Sequence, residues 1–171
     1  MTIHSEHPFL QPDGDRDPVR RLRGRLGATV SLWTTGEGSG RSGLTVSSYA
    51  VANGDPGHLL ALLDSDSDFY PALLSRRTVV VQLLEWQHRD LADAFAGMAP
   101  APGGVFRMGE WSTTAWGPLL SGVGAWAGVR LADEPRAVGW SMLVDTVIEH
   151  VEFATGQAPL VHRRGRYQRP S

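Results

Sequence analysis

The chain has 171 residues and a formal charge of −2, with sixteen basic residues, all arginine, against eighteen acidic ones. It contains no lysine and no cysteine, which excludes Schiff-base lysines, a Walker phosphate loop, thiol nucleophiles, disulfides and cysteine-ligated metals. A hydrophobic share of 42% and a charged share of 20% fit a single globular domain, and twenty Gly with eleven Pro suit a turn-rich β protein.

Residues 1–16 carry Pro8, Pro12, Asp13 and Gly14 without periodicity and are expected to form a flexible arm before a domain over residues 17–171. They do not read as a signal peptide, and no run reaches the roughly 18 apolar residues of a bilayer span, so no membrane and a cytoplasmic location are expected. Asp17 and Pro18 predict the N-cap and first position of an arginine-rich helix ending near Leu26. Ala28 to Thr35 and Leu44 to Val51 are rich in β-branched and aromatic residues, which predicts two antiparallel strands joined by a hairpin loop over Gly36 to Gly43. That loop spells G-x-G-x-x-G, but a dinucleotide fingerprint must open a helix, and Leu44 onward is strand-like.

His58 to Leu63 predicts a third strand, Phe69 to Ser75 a short helix capped by Asp68 or a neighbouring serine, and Thr78 to Leu84 a buried strand. Trp86 to Ala96 predicts a helix that buries Leu91, Ala94 and Phe95, with Gly97 past its end. A strand is expected around Val105 to Trp111, two long strands over Gly122 to Leu131 and Val138 to Phe153, and a short one over Pro159 to His162. Connections too short for parallel crossovers make a mainly β fold, an antiparallel barrel with short peripheral helices, the economical reading. The acidic run Asp64 to Asp68 lacks the glycine and glutamate of a calcium loop, and the six histidines form no metal-binding spacing. Arg163, Arg164, Arg166 and Arg169 form a cationic tail, read either as a phosphate site or as a solvated terminus; nucleic acid is not expected.

Gly43 to Tyr49, reached after Thr34-Thr35 and followed by Asp55-Pro56, resembles the flavin reductase family of FMN-binding split barrels. In the same order, Thr78 to Leu84, Gln87 with Leu91 to Gly97, Pro118-Leu119-Leu120 and Pro159 to Tyr167 are similar to further family segments. The resemblance implies a Greek-key split barrel that forms a homodimer, binds FMN or FAD, and reduces it with NADH or NADPH. Many members supply a monooxygenase. By position, Thr45, Val46, Ser47 and Ser48 would hold the flavin phosphate and ring edge, and Asp64, Ser65, Asp66 and Ser67 would form the loop on the other side. His162 and Arg166 would meet the nicotinamide dinucleotide, and no catalytic side chain or metal is implied. Trp140 stands where the family often has the histidine of a Gly-Asp-His run, so it would stack on the nicotinamide or close the pocket. Gln82 replaces a common asparagine, and Gly57 a second proline. The residues agree with this: hydroxyls and backbone N–H groups at a strand end suit a phosphate, and hydride transfer to flavin needs positioning rather than a nucleophile. Two alternatives stay open: a flavin- or deazaflavin-binding relative with a non-nicotinamide substrate, and a non-redox barrel binding an anionic ligand or partner protein.

Overall fold

The computed structural model describes residues 17–156 and 158–170; the arm expected over residues 1–16 lies outside them. Helix α1 (Pro18–Leu26) begins as its sequence predicts, with Asp17 Oδ1 accepting from the backbone N–H of Val19 at 2.8 Å and of Arg20 at 3.3 Å. Gly27, at φ +66°, ends it in a conformation that a side chain would resist. Strands β1 (Ala28–Thr29) and β2 (Ser31–Thr35) replace the single strand expected there. The break is at Val30, whose N–H turns away to Leu160 O at 2.7 Å and whose carbonyl accepts from Leu84 N at 3.1 Å.

The expected strand over residues 44–51 is likewise two strands, β3 (Ser42–Val46) and β4 (Tyr49–Ala52). Val46 and Tyr49 both pack on the same core, yet they are three positions apart. Side chains alternate faces along a strand, so both can point inward only if the strand breaks between them, at Ser47 and Ser48. The break sends the chain from one edge of the main sheet to the other. With β5 (His58–Leu63), β6 (Thr78–Leu83), β9 (Ala125–Leu131) and β11 (Ser141–Phe153), the sheet order is β3-β2-β6-β9-β11-β5-β4, and every pairing is antiparallel. The two edge strands are consecutive in sequence, so the sheet curls into the expected split barrel, with peripheral helices.

Helix α2 (Phe69–Arg76) buries Phe69 and Leu73 in the barrel core with Trp33, Leu63, Val79, Val129 and Val144. Asp68 occupies its N-cap position, but the side chain makes no capping bond, contrary to expectation. On the outer face of β2, a second core joins Leu32 and Leu84 to Leu91, Ala92 and Phe95 of α3 (Arg89–Phe95), which a 3-10 turn over Trp86–His88 precedes. β2 is therefore buried on both faces. Its neighbour Tyr49 has a phenol pushed up to about 12 by burial.

Three expectations are corrected beyond α3. The strand expected around residues 105–111 is a 3-10 turn over Val105–Arg107 followed by β7 (Trp111–Thr113), which pairs with β8 (Pro118–Leu120). The long strand expected from Val138 is a hairpin of β10 (Arg136–Val138) and β11, turned at Gly139 with φ +57°. Beyond β12 (Val161–Arg163) the chain adds β13 (Arg166–Gln168), and the two join β1 in a three-stranded sheet.

His88 holds the turn before α3 by accepting from Glu85 N at 3.0 Å through Nδ1, and burial lowers its pKa below the ordinary value. The folded chain thus binds fewer protons at this site than the unfolded chain. His88 contributes stability that is full above the unfolded value of about 6.5 and is lost as pH falls through the lower folded value. Denaturant melts at pH 7.5 and pH 5 are expected to show wild type losing more stability on acidification than His88→Gln; equal losses would remove this role.

Candidate functional site at the seam of the barrel

Residues 45–48 lie where the edges of the sheet meet. The backbone there is fixed from both sides, with Ser31 Oγ donating to Val46 O at 2.7 Å and Leu62 N donating to Ser48 O at 2.9 Å. The four residues are not equivalent. Val46 is buried in the barrel core, and Thr45 Oγ1 donates its proton to Ala92 O of α3 at 2.7 Å. Ser48 Oγ accepts from Arg23 Nη2 at 2.6 Å, which leaves its own proton free to donate outward. Ser47 is half-buried, and its hydroxyl has no hydrogen bond among the described residues. Two serine hydroxyls with donors to spare, beside a guanidinium, suit a phosphate better than hydroxyls alone.

β4 pairs with β5 in the register Tyr49↔Ala61, so Ser47 and Ser48 flank the end of β5 from which residues 64–67 depart. That loop is organised by Asp64, whose Oδ1 accepts from Asp66 N at 2.9 Å and whose carbonyl accepts from Ser67 Oγ at 2.8 Å. Asp64, Ser65 and Asp66 are exposed and Ser67 half-buried, so the loop can face a ligand held at the seam.

α1 lies against this region. Arg23 reaches Ser48, and the Arg20 guanidinium sits 5.8 Å from the ring centroid of Trp140, which is 89% exposed on the β10–β11 turn. Further along the helix, Gly24 O accepts from Arg164 N at 2.9 Å, which ties in the β12–β13 hairpin. Ser48, Trp140 and the C-terminal arginines thus share one neighbour. His162 stacks edge-on to Tyr167 at 5.4 Å, and Tyr167 donates to Asp93 Oδ1 at 2.6 Å, so the imidazole belongs to a packed layer. Burial, then the bond to Asp93, drives the Tyr167 phenol well above its usual range. Arg166 is exposed and lines a cleft of about 440 Å³ with Arg163, Arg164 and Gln168. Sequence reasoning missed Arg20 and Arg23; the signal available was a helix with four arginines and no acidic residue.

A family model described as "Flavin reductase like domain" matches residues 23–171. An FMN reductase (NADH) RutF from Serratia proteamaculans is 30% identical over 123 residues, 71% of this chain and 70% of that protein. A second RutF, from Variovorax paradoxus, is 34% identical over 119 residues, 69% of this chain and 64% of that protein. Among solved structures, the NADH:FAD oxidoreductase SgcE6 of Streptomyces globisporus C-1027 superposes with a TM-score of 0.80 at 21% identity, covering 95% of this chain and 91% of that one. BorF, the flavin reductase component of a bacterial two-component tryptophan halogenase, gives a TM-score of 0.76 at 22% identity, covering 90% and 99%. A family match over nearly all the described residues, on a barrel whose seam carries the hydroxyl run, leaves one conclusion: the chain belongs to the flavin reductase like domain family.

Proposed function

We propose that this protein is a flavin reductase that moves a hydride from NADH to FMN and hands the reduced flavin to a partner oxygenase or halogenase. The observation that carries the reading is the pair of serine hydroxyls at the barrel seam, backed by Arg23. Relatives named FMN reductase (NADH), and a fold neighbour named as the flavin reductase component of a two-component halogenase, support the activity and the class of partner. The bound flavin supplies the hydride acceptor. The protein's own residues bind and position. Ser47 and Ser48 hold the flavin phosphate, Thr45 and Val46 fix the backbone that presents them, and residues 64–67 border the ligand opposite. Arg166 receives the reductant, the packed His162 borders it from the same hairpin, and Trp140 covers its ring.

A homodimer completes this reading. Val19 and Leu22 of α1, with Leu62, Val138 and Trp140, are apolar and exposed around the seam, and a second copy would cover them. FAD can take the place of FMN, and NADPH of NADH, without changing these roles. Among the described residues no helix is long and apolar enough to cross a membrane, and the supply of NADH favours a cytoplasmic location.

The test is NADH oxidation by purified protein on adding FMN, with molecular mass read by light scattering in the same preparation. Activity in a particle of twice the chain mass is expected. Arg166→Ala should raise the apparent constant for NADH by about 10-fold while FMN affinity stays near wild type, and Trp140→His should keep or increase turnover. Flavin binding without oxidation of NADH or NADPH, unrestored by Trp140→His, would favour a flavin- or deazaflavin-binding protein with another substrate.

A further inference from the structure

We infer that the arginine cleft on the β12–β13 hairpin is a second phosphate subsite, separate from residues 45–48, that takes the diphosphate of a dinucleotide. The inference rests on the flavin reductase reading, since NADH and FAD share an ADP half. Arg163 and Arg166 are direct cross-strand partners, an arrangement in which like charges repel. Arg164 adds a third guanidinium at the turn, and among the described residues none of the three is in an ion pair. Among the described residues the cationic cluster has no anion paired to it.

Backbone conformation points the same way. Arg164 has φ +52° and Gly165 φ +76°, the left-handed pair of a two-residue hairpin turn that favours Asn-Gly. An arginine in the first place is a poor choice for the turn itself. Both the cross-strand repulsion and this strained residue work against the hairpin, and both bring guanidinium groups to one cleft. A guanidinium matches phosphate oxygens bidentately, and three together suit a group with more than one negative charge. The cleft, about 440 Å³, is within the usual range for small-ligand sites. It also has a fixed relation to the seam. The Arg164 N–H to Gly24 O bond docks the hairpin on α1 one residue beyond Arg23, which holds Ser48. A dinucleotide with its reacting ring near the seam can therefore extend its diphosphate along α1 to the cleft.

Arg164→Gly separates a binding role from a structural one, because glycine removes the guanidinium while suiting the positive φ. In the full chain, this variant should melt at or above the wild-type temperature yet bind ADP at least about 10-fold more weakly, with the FMN dissociation constant unchanged. Arg164→Gln should weaken ADP binding similarly. Arg107→Gln, an exposed arginine elsewhere that makes the same change in net charge, should leave ADP binding within about two-fold of wild type. Two further titrations identify the source of the phosphate: a weakened NAD+ or NADH arm assigns the cleft to the diphosphate of the reductant, and a weakened FAD arm assigns it to the adenylate phosphate of the flavin, whose other phosphate is the one held by Ser47 and Ser48. Wild-type protein that does not bind ADP, Arg164→Gly protein that binds it as wild type does, or equal weakening by Arg107→Gln would each overturn the subsite. Failure of wild type to oxidise NADH would instead count against the reductase reading, while the ADP titration still decides the cleft.

Discussion

Replacing Ser47 and Ser48 together with alanine is expected to weaken FMN binding by roughly 150-fold or more, the largest functional effect anticipated for this chain. Each hydroxyl can donate to a charged phosphate, and such a bond contributes about 1.5 to 3 kcal/mol, so two of them reach at least about 3 kcal/mol. The four-residue run separates sharply under this test. Thr45 already gives its proton to Ala92 O, so Thr45→Ala should cost about 1 kcal/mol of stability and change FMN affinity less than either serine variant. Ser48→Ala also removes the acceptor that holds Arg23 at 2.6 Å, so it should exceed Ser47→Ala. Fluorescence titration of FMN with each variant, alongside circular dichroism to verify folding, reads all four affinities. A folded double variant with wild-type affinity would remove the phosphate site from the seam.

Elements whose signals are local were legible in the sequence. Asp17 and Pro18 mark the start of α1 through backbone chemistry within one turn, and the apolar runs of β5 and β6 needed no distant partner to be recognised. What escaped was any event decided by a change of partner. Residues 28–35 and 44–51 each satisfy strand propensity throughout, and nothing within them shows that Val30 bonds to Leu160 and Leu84, or that Ser47 and Ser48 step between sheet edges. The hairpin at Gly139 was hidden similarly, because Val138 before it and Met142, Leu143 and Val144 after it carry apolar, strand-compatible side chains, and β11 accepts β10, β5 and β9 along its length. Short β13 is held by its pairing to β12 rather than by a pattern of its own.

The site divides along the same line. The serine run and the C-terminal arginines carry their chemistry in adjacent residues and could be marked from sequence. Arg23 could not be joined to Ser48, nor Arg20 to Trp140, because each contact exists only once the barrel has placed α1 beside the seam. Thr45 and Ser48 look alike as hydroxyl residues, and only their opposite hydrogen-bond commitments distinguish a structural role from a ligand-facing one.

The largest stability effect is expected at Gln82, where a fully buried amide joins three strands. Its Oε1 accepts from Leu120 N of β8 at 2.8 Å, and its Nε2 donates to Thr34 Oγ1 of β2 at 2.9 Å, while Thr34 Oγ1 donates onward to Pro118 O at 2.6 Å. A buried network of this kind stabilises while complete and becomes costly when one member is lost, because the remaining groups cannot reach water. Gln82→Met keeps the length of the side chain but removes both bonds and leaves the Leu120 N–H unpaired. The expected loss is about 3 to 4 kcal/mol, or roughly 10 °C in melting temperature for a chain of this size. Thr34→Val alone should cost less, since Pro118 O still lies 3.5 Å from Gln82 Nε2. The double variant should lose less than the sum of the two single variants by about 1 kcal/mol, because it removes a donor together with its acceptor. Denaturant melts of the four proteins measure this coupling; strictly additive losses, or a Gln82→Met cost below about 1 kcal/mol, would mean that the amide packs as an apolar side chain would and joins nothing.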